Sequence, residues 1–479
     1  MIIENDDISR GSASQMAEAV RRNQVSPVEL VEAHLARIEE LNPKLNAYVD
    51  LRAREARAEA AAAEAAVRER AELGAMHGVP ISIKSCIDVA GVKCETGSRT
   101  RLGNIPAKDA VLVARLRAAG AIVLGVTNTP EFLMAYETDN EIYGRTSNPW
   151  DLTRTAGGSS GGESAAIAAC MSAAGVGSDG GGSVRVPAHF CGICGLKPTP
   201  GRIPGAGHFP QGLGPFAWLG SVGPMARTVE DLHLMLGVIA GEDVGDPVSV
   251  PVPLVEIGES ELRRAAIGYF EDDGLHPVTP ETRAAVRMAA ETLRSRGIQV
   301  EAFRPDGLER ARELWHDVFC RIGQLAFGPM LEGKEEQLSP ILRDLRAHVS
   351  TQPPLTATSL LNILCERDLL REKVLRQMEE FPVLVGPVST GPAFRHNEVC
   401  WTTSPDSFLN TMVYSQWFNL LGFPAAVVPV SRSHEGLPIG VQIIGRPFED
   451  EMVLAVAAAI EEKFRYREPP LLKREQVTA

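Results

Sequence analysis

The sequence predicts an α/β fold in which one large mixed β-sheet is covered by helices on both faces. Short β-branched segments with a buried-strand pattern lie at 77–84 and 121–126, and a helical segment at 110–119 separates them. Strand-like segments return at 381–385 and 425–430. Strands that alternate with helices in this way form parallel or mixed sheets with helices on both sides.

The N-terminal part is predicted to be helical. Ser26 precedes Pro27 in the pattern of an N-cap followed by proline at the first helical position, and apolar residues follow at helical spacing up to residue 38. We expect this helix to stop at Asn42-Pro43 because proline disrupts a helix interior. A second, alanine-rich helix with interleaved Glu and Arg is predicted over about 52–73, on the outside of the fold.

The middle of the chain changes composition twice. Residues 155–223 are rich in Gly, Ser, Ala and Pro, but the apolar segment 165–169 indicates a small-residue helix packed on the sheet and not a flexible linker. The core motifs therefore fall within 77–225. Residues of about 255–380 carry more charge and a helical pattern, which predicts a variable, peripheral helical insertion. With the sheet completed over 381–464 and no internal repeat, the sequence predicts one domain over 1–479.

Composition excludes several classes of protein. The chain has 479 residues, of which 44% are hydrophobic and 23% charged, so it is neither a disordered chain nor a small disulfide-stapled module. The net charge of −13 and the lack of a Lys/Arg cluster argue against nucleic-acid binding. Eight cysteines without regular spacing fit a reducing compartment. The acidic start MIIENDDISRG is not a signal-peptide pattern, and apolar runs are shorter than the ~18 residues of a membrane span. We therefore expect a cytoplasmic protein without a transmembrane segment.

The chemistry-bearing residues occur in three segments. They are a strand that ends at Lys84, the run GGSSGG at 157–162, and DGGGSVR at 179–185. Glycines let the backbone approach a bound group closely. The glycines Gly180, Gly181 and Gly182 directly precede Ser183, and their N–H groups could converge as an oxyanion hole on a carbonyl that Ser183 attacks.

A nucleophilic serine needs a base. None of the ten histidines lies in a triad-like motif, and His189, the nearest to Ser183, is more simply interpreted as a structural histidine. A lysine can serve instead when burial keeps it neutral. Lys84, at the end of an apolar strand, is such a candidate, although strand-end lysines are more often solvated or in ion pairs.

The segments GVPISIKSCIDVAG, TAGGSSGGESAAIAA and GVGSDGGGSVRVPAHFCGICGLKPT resemble the amidase signature family in their order and spacing. The resemblance implies amide-bond hydrolysis by a Ser–Ser–Lys triad. Ser183 would form the acyl-enzyme, Ser159 would be the bridging serine held by a cis peptide, and Lys84 would be the base. Gly180, Gly181 and Gly182 would form the oxyanion hole together with the Ser183 amide.

The neighbouring residues are expected to have supporting roles. Ser160 either hydrogen-bonds within the site or serves the structure alone, and Asp179 and Arg185 are expected to pair and brace the Ser183 loop. Cys191 and Cys194 form a single CxxC without a second pair, so zinc is not expected. The sequence predicts neither a metal nor a cofactor.

The resemblance is to the branch of bacterial amidases that are similar to fatty acid amide hydrolase. Leu133 and Met134 match a stretch that lines the acyl site there, which favours a small-molecule amide with an apolar or aryl group. Esters and carbamates present the same carbonyl to this machinery and are included in the expectation. The oligomeric state is left open between monomer and homodimer.

Two alternatives remain at this point. The first is the glutaminase component of a tRNA-dependent amidotransferase, its A subunit, which releases ammonia from glutamine. Against it, the segment 137–144 is not the Ser/Thr-rich stretch usual in that component. The second is a non-catalytic binding protein on the same fold, which the three intact triad positions disfavour.

Overall fold

A mixed sheet runs through the centre of the computed structural model, which describes residues 7–399 and 404–472. Residues 1–6, which begin the N-terminal stretch used in the signal-peptide argument, lie outside the described residues. Among the described helices, none combines the length and the apolar character needed to cross a membrane.

The strands are short and lie along the whole chain. Their bounds are β1 Tyr48–Leu51, β2 Pro80–Lys84, β3 Ile122–Thr127, β4 Ser147–Asn148, β5 Asp151–Thr155, β6 Ala174–Asp179, β7 Cys194–Lys197, β8 Ser221–Ala226, β9 Ala266–Tyr269, β10 Gln299–Ala302, β11 Val383–Pro387, β12 Ala425–Arg432 and β13 Pro438–Gly445.

Helices connect most of these strands. Their bounds are α1 Ala13–Arg21, α2 Pro27–Leu45, α3 Ala53–Arg68, α4 Val111–Ala118, α5 Gly161–Ala168, α6 Arg185–Cys191, α7 Phe216–Leu219, α8 Val229–Ile239, α9 Glu259–Leu262, α10 Pro280–Ser295, α11 Ala311–His316, α12 Gly323–Leu331, α13 Pro340–Ser350, α14 Ala357–Gln377, α15 Pro405–Thr411, α16 Val413–Leu420 and α17 Asp450–Glu461. A π-helical turn at Asp317–Ile322 joins α11 to α12.

Within the described residues, eleven strands form one sheet in the order β1-β3-β2-β6-β8-β7-β12-β13-β11-β9-β10, and β4 pairs with β5 in a separate hairpin. Strand β2 is parallel to both of its neighbours, β3 and β6. Strand β9 is likewise parallel to β10 and β11. The remaining neighbours in the sheet are antiparallel. The predicted mixed sheet is confirmed.

Both faces of the sheet are buried. In β3, Ile122 and Leu124 point into one apolar cluster, while Val123 and Val126 point into the other. Ile122, Val123 and Leu124 alternate with the two-residue period of a strand, and Val126 changes face because the pairing with β2 shifts register between Val123 and Gly125. Helices α2, α5, α6 and α16 contribute to the first cluster, and α1, α4, α8, α10 and α17 contribute to the second. The prediction of helices on both faces is therefore confirmed as well.

Helix α2 continues through Asn42-Pro43, contrary to the predicted stop. Pro43 lies in the last turn, and the helix ends at Leu45 with Asn46 in the left-handed conformation. The Asn42 side chain accepts hydrogen bonds from the N–H groups of Ala47 and Tyr48, which connects the helix end to β1. A proline this close to the end removes little of the helix ladder.

The region 255–380 is helical in its second half, and its first half contributes to the sheet. Strands β9 and β10, with α10 between them, extend the sheet at one edge. Their four-residue length and charged neighbours hid them in the sequence pattern, because so short a strand shows little alternation. The boundaries of the domain itself stay a prediction.

The close approach of β8 to β7 yields a stability test. A Cβ on Gly223 would lie 2.0 Å from the carbonyl oxygen of Leu196, so Gly223→Ala should lower the free energy of unfolding by about 3 kcal/mol. Gly237, inside α8, has open space around it, and Gly237→Ala should raise stability by about 0.5–1 kcal/mol. Denaturant midpoints measure both changes, and equal midpoints for the two variants would contradict this packing.

Candidate active site

Lys84 ends strand β2 and is completely buried. Its Nζ lies 2.7 Å from Ser159 Oγ and 3.1 Å from Ser178 Oγ. Burial lowers the pKa of Lys84 to about 8, against the opposing charges of Cys86, Asp179 and Glu163. Near neutral pH, Lys84 therefore has a far larger fraction of neutral amine than an ordinary lysine.

Ser159 lies in the turn between β5 and α5, and the Gly158–Ser159 peptide bond is cis. The Thr129 hydroxyl donates a hydrogen bond of 2.9 Å to the Ser159 carbonyl. A Cβ on Gly158 would lie 2.5 Å from the Ala135 carbonyl oxygen, so this turn packs directly on the neighbouring backbone. Ser159 is thereby held with its hydroxyl next to Lys84.

Ser183 lies in the turn between β6 and α6. The backbone N–H of Ser160 donates to the Ser183 carbonyl at 3.2 Å, which connects the two serine-bearing turns. Asp179 closes the Ser183 turn because its Oδ1 accepts the Gly182 N–H at 2.7 Å and its Oδ2 accepts the Val184 N–H at 3.1 Å.

Asp179 and Arg185 form an ion pair that is completely buried, with Arg185 Nε 3.0 Å from Asp179 Oδ2. Burial raises the pKa of Asp179, but Arg185 outweighs this and holds it well below the usual range. Arg185 also donates to the carbonyl of Ser415 and to the side chain of Gln442. The Ser183 turn is thus anchored to α16 and β13.

The glycines before Ser183 differ in which of their backbone N–H and carbonyl groups are already hydrogen-bonded. The Gly182 N–H is engaged by Asp179, as described above. The Gly180 carbonyl accepts from Trp315 Nε1 at 3.0 Å, and the Gly181 carbonyl accepts from the Tyr136 hydroxyl at 2.9 Å. For the amides of Gly180, Gly181 and Ser183, the structure shows no acceptor within 7–399 and 404–472.

A cavity of about 990 Å³, including its open mouth, adjoins both serines. Leu133 and Met134 line it, at the position where the sequence placed substrate-lining residues. His208, Phe319 and Phe327 also line it, and no sequence pattern indicated them. Phe319 lies on the π-helical turn, a feature frequent at functional sites and one that no local pattern announced.

The remaining candidates have structural environments. His189 is buried, with Nδ1 accepting the Gly440 N–H and Nε2 donating to the Gly391 carbonyl, and burial lowers its pKa to about 4. The Ser160 hydroxyl lies 3.4 Å from the Ser178 carbonyl. Cys191 and Cys194 are free thiols, and no group of metal-ligating side chains occurs among the described residues.

The family model for Amidase matches residues 29–454. The chain therefore belongs to the amidase signature family, and it is an amidohydrolase. This membership removes the non-catalytic binding protein from the alternatives.

Several curated relatives match nearly the whole chain. It is 36% identical to an indoleacetamide hydrolase of Bradyrhizobium diazoefficiens, over 94% of this chain and 86% of the relative. It is 34% identical to an acylamidase of Rhodococcus erythropolis, over 94% of both chains. It is also 32% identical to the A subunit of the glutamyl-tRNA(Gln) amidotransferase of Geotalea daltonii, over 94% of this chain and 96% of that relative.

Solved structures share the fold. A 6-aminohexanoate cyclic dimer hydrolase with bound substrate superposes with a TM-score of 0.85 at 30% identity, covering 97% of this chain and 99% of that one. A fatty acid amide hydrolase gives a TM-score of 0.85 at 26% identity, covering 96% of this chain and 86% of that one.

The buried ion pair can be tested by Asp179→Asn. This change leaves Arg185 charged, buried and without its partner, so the free energy of unfolding should fall by about 3–5 kcal/mol. Loosening of the Ser183 turn should lower kcat by about 100-fold. Glu372→Gln, which removes the charge of the exposed Glu372–Arg376 pair, is the control and should leave both quantities nearly unchanged. Wild-type stability in Asp179→Asn would contradict the bracing role.

Proposed function

We propose that this enzyme hydrolyses linear amides that carry an apolar or aryl group, through an acyl-enzyme on Ser183. The observation that carries the proposal is the 2.7 Å contact between Ser159 Oγ and a completely buried lysine amine, at a cavity that both serines line. An amine at this position can take a serine proton only while it is neutral, and burial favours the neutral form.

The proposed reaction begins with Ser183 Oγ attacking the substrate carbonyl. Its proton passes to Ser159 Oγ, and the Ser159 proton passes to neutral Lys84. The amides of Gly180, Gly181 and Ser183 would stabilise the oxyanion. Gly182, predicted from the sequence as a further donor, is left out of this set because Asp179 already accepts its N–H.

The same relay then runs in reverse. Lys84 returns its proton through Ser159 to the nitrogen of the leaving amine, and the C–N bond breaks to leave the acyl group on Ser183. Water, deprotonated along the same path, attacks the acyl-enzyme, and as the bond to Ser183 Oγ breaks to release the acid, Lys84 returns the proton through Ser159 to Ser183 Oγ. Amide hydrolysis depends most on the proton delivered to the leaving group, because an amine is a poor leaving group. Ester hydrolysis needs it less, because an alcohol leaves more readily. Carbamates present an equivalent carbonyl, and we include them and esters in the proposed range.

Charge in the cavity favours this substrate class over glutamine. The side chains that line the described cavity include no Lys or Arg, and its carboxylates are those of Asp179, which is paired with Arg185, and Asp246. The α-carboxylate of glutamine would therefore find no Lys or Arg side chain to bind, and both ring nitrogens of His208 are already engaged, by Cys86 Sγ and the Pro210 carbonyl. Phe132, Phe319 and Phe327 instead offer apolar surface. The relatives named indoleacetamide hydrolase and acylamidase support the same class.

The glutaminase component of a tRNA-dependent amidotransferase remains the second candidate, because the Geotalea daltonii relative is 32% identical over most of both chains. The monomer or homodimer state, the absence of a nucleic-acid partner and the cytoplasmic location predicted from the sequence stay predictions.

A substrate panel separates the two candidates. The purified chain should hydrolyse aryl amides and apolar anilides, and it should release little ammonia from glutamine, because no Lys or Arg lines the cavity to bind the carboxylate. Ser183→Ala should remove turnover and also labelling by a fluorophosphonate, while the unfolding midpoint is kept. Glutamine as the preferred substrate would reject the proposal, and labelling that persists in Ser183→Ala would reject the nucleophile.

The pH dependence tests Lys84. The neutral amine is the active form, so kcat/KM for an anilide should rise with pH through an inflection near 8, as the pKa of Lys84 requires. Lys84→Arg should be inactive because arginine stays charged. Exposed Lys93 is the matched control, and Lys93→Arg should keep the wild-type profile. An inflection near 6.5 that survives in Lys84→Ala would instead indicate a histidine base.

A further inference from the structure

The thiol of Cys86 extends the hydrogen-bond network of Lys84 on the side away from Ser159. Cys86 Sγ lies 3.7 Å from Ser178 Oγ, and that hydroxyl lies 3.1 Å from Lys84 Nζ. The thiol is completely buried. One hydroxyl therefore separates this sulfur from the amine, and the proposed reaction has no use for the sulfur.

The imidazole of His208 lies on the other side of the thiol, with Nε2 3.4 Å from Cys86 Sγ. Its Nδ1 lies 2.8 Å from the Pro210 carbonyl oxygen. A carbonyl can only accept, so Nδ1 carries a proton in this contact. Nε2 is then left to accept the thiol proton, or to donate to the thiolate once it holds that proton.

The main chain fixes the position of this pair. The Phe209 N–H donates to the Cys86 carbonyl at 2.7 Å, and the Asp88 N–H donates to the Gly207 carbonyl at 2.8 Å. His208 also lines the cavity beside both serines. The sulfur–imidazole contact is therefore built into the backbone and does not depend on a freely rotating side chain.

The surrounding charges favour the ionised pair. Burial raises the pKa of Cys86, but His208 and Lys84 outweigh it and leave the value below that of an ordinary thiol. Burial lowers the pKa of His208, yet Cys86 raises it above the ordinary value. Glu163 on α5 and Asp179 on β6 also act on Lys84, and Glu163 interacts with the Cys86 thiol as well. The thiol of Cys94, after β2, interacts with Cys86 and in turn with Asp88 and Arg101.

We propose that Cys86 and His208 form a thiolate–imidazolium pair that sets the pH at which Lys84 becomes neutral. The proton moves from Cys86 Sγ to His208 Nε2, and no other covalent bond changes. Both are positioning residues that act through Lys84, so this inference rests on the proposed function. The negative thiolate is linked to Lys84 through a single hydroxyl, and the positive imidazolium lies beyond the thiolate. The thiolate therefore has the larger effect on Lys84, and the pair stabilises its ammonium form. The pair thus offsets part of the burial effect on Lys84.

The test compares kcat/KM–pH profiles for an anilide in wild type, Cys86→Ser, His208→Gln and the double variant. Loss of the thiolate should move the inflection towards acid pH by about 0.5–1 unit in each variant. The double variant should shift as far as the single ones and not by their sum, because either change abolishes the pair. The inflection is compared, and not the height, because His208 lines the cavity. Buried Cys170, which contacts Tyr466, provides the control Cys170→Ser, with an unshifted profile.

Ultraviolet absorbance gives a readout without turnover. Wild type at neutral pH should show a thiolate band that both Cys86→Ser and His208→Gln remove and Cys170→Ser keeps. An inflection that stays at its wild-type position in Cys86→Ser overturns the inference, as does an equal shift in Cys170→Ser. If the rise of kcat/KM with pH is absent in wild type, or persists in Lys84→Arg, Lys84 is not the base. The inference is then wrong as well. In that case the thiolate band still shows whether the pair exists.

Discussion

The burial of the Lys84 amine at the end of β2 is the constraint on which the active site depends. A buried ammonium without partners is strongly unfavourable, so the fold must either neutralise it or surround it with polar groups. The structure does both, because burial lowers the pKa of Lys84 and the hydroxyls of Ser159 and Ser178 contact its Nζ. Strand order makes this possible, since β6, which carries Ser178, pairs in parallel with β2. The carboxyl ends of the two strands therefore meet at one edge of the sheet.

The glycine-rich composition of the central segment follows from the same constraint. The two serine-bearing turns must pack on neighbouring backbone to bring their hydroxyls to the cavity. A Cβ on Gly157 would lie 2.8 Å from the Pro187 Cα, and one on Gly175 would overlap the carboxylate of Glu163. Gly182 has a φ of +120°, which side-chain-bearing residues rarely adopt. Such a segment resembles a linker in composition, yet in this fold it is tightly packed and buried.

Local sequence patterns mark the three separate segments that carry Lys84, Ser159 and Ser183. The strand that ends in Lys84 and the two glycine-serine turns each have a short pattern, and the mixed sheet follows from the alternation of strands and helices. Other features depend on contacts between distant residues. Trp315 reaches the Gly180 carbonyl from 135 positions away, and His208 meets Cys86 across 122 positions. No short sequence pattern predicts either contact. The engagement of the Gly182 amide by Asp179 also depends on how the turn closes, which composition does not specify.

In the proposed function, the relay residues and part of the cavity wall come from different parts of the chain. The residues of the proposed relay lie at strand ends and in turns that pack on the sheet, where a small displacement would disturb the Lys84 network. Phe319 and Phe327 come from the helical half of 255–380, outside the sheet, and they form part of the cavity wall. The same layer also contacts the Ser183 turn, because Trp315 donates to the Gly180 carbonyl and the Phe319 ring lies against Gly180. In the proposed function, the helical layer therefore shapes part of the cavity that receives the amide, while the strand ends and turns of the sheet carry the proposed relay.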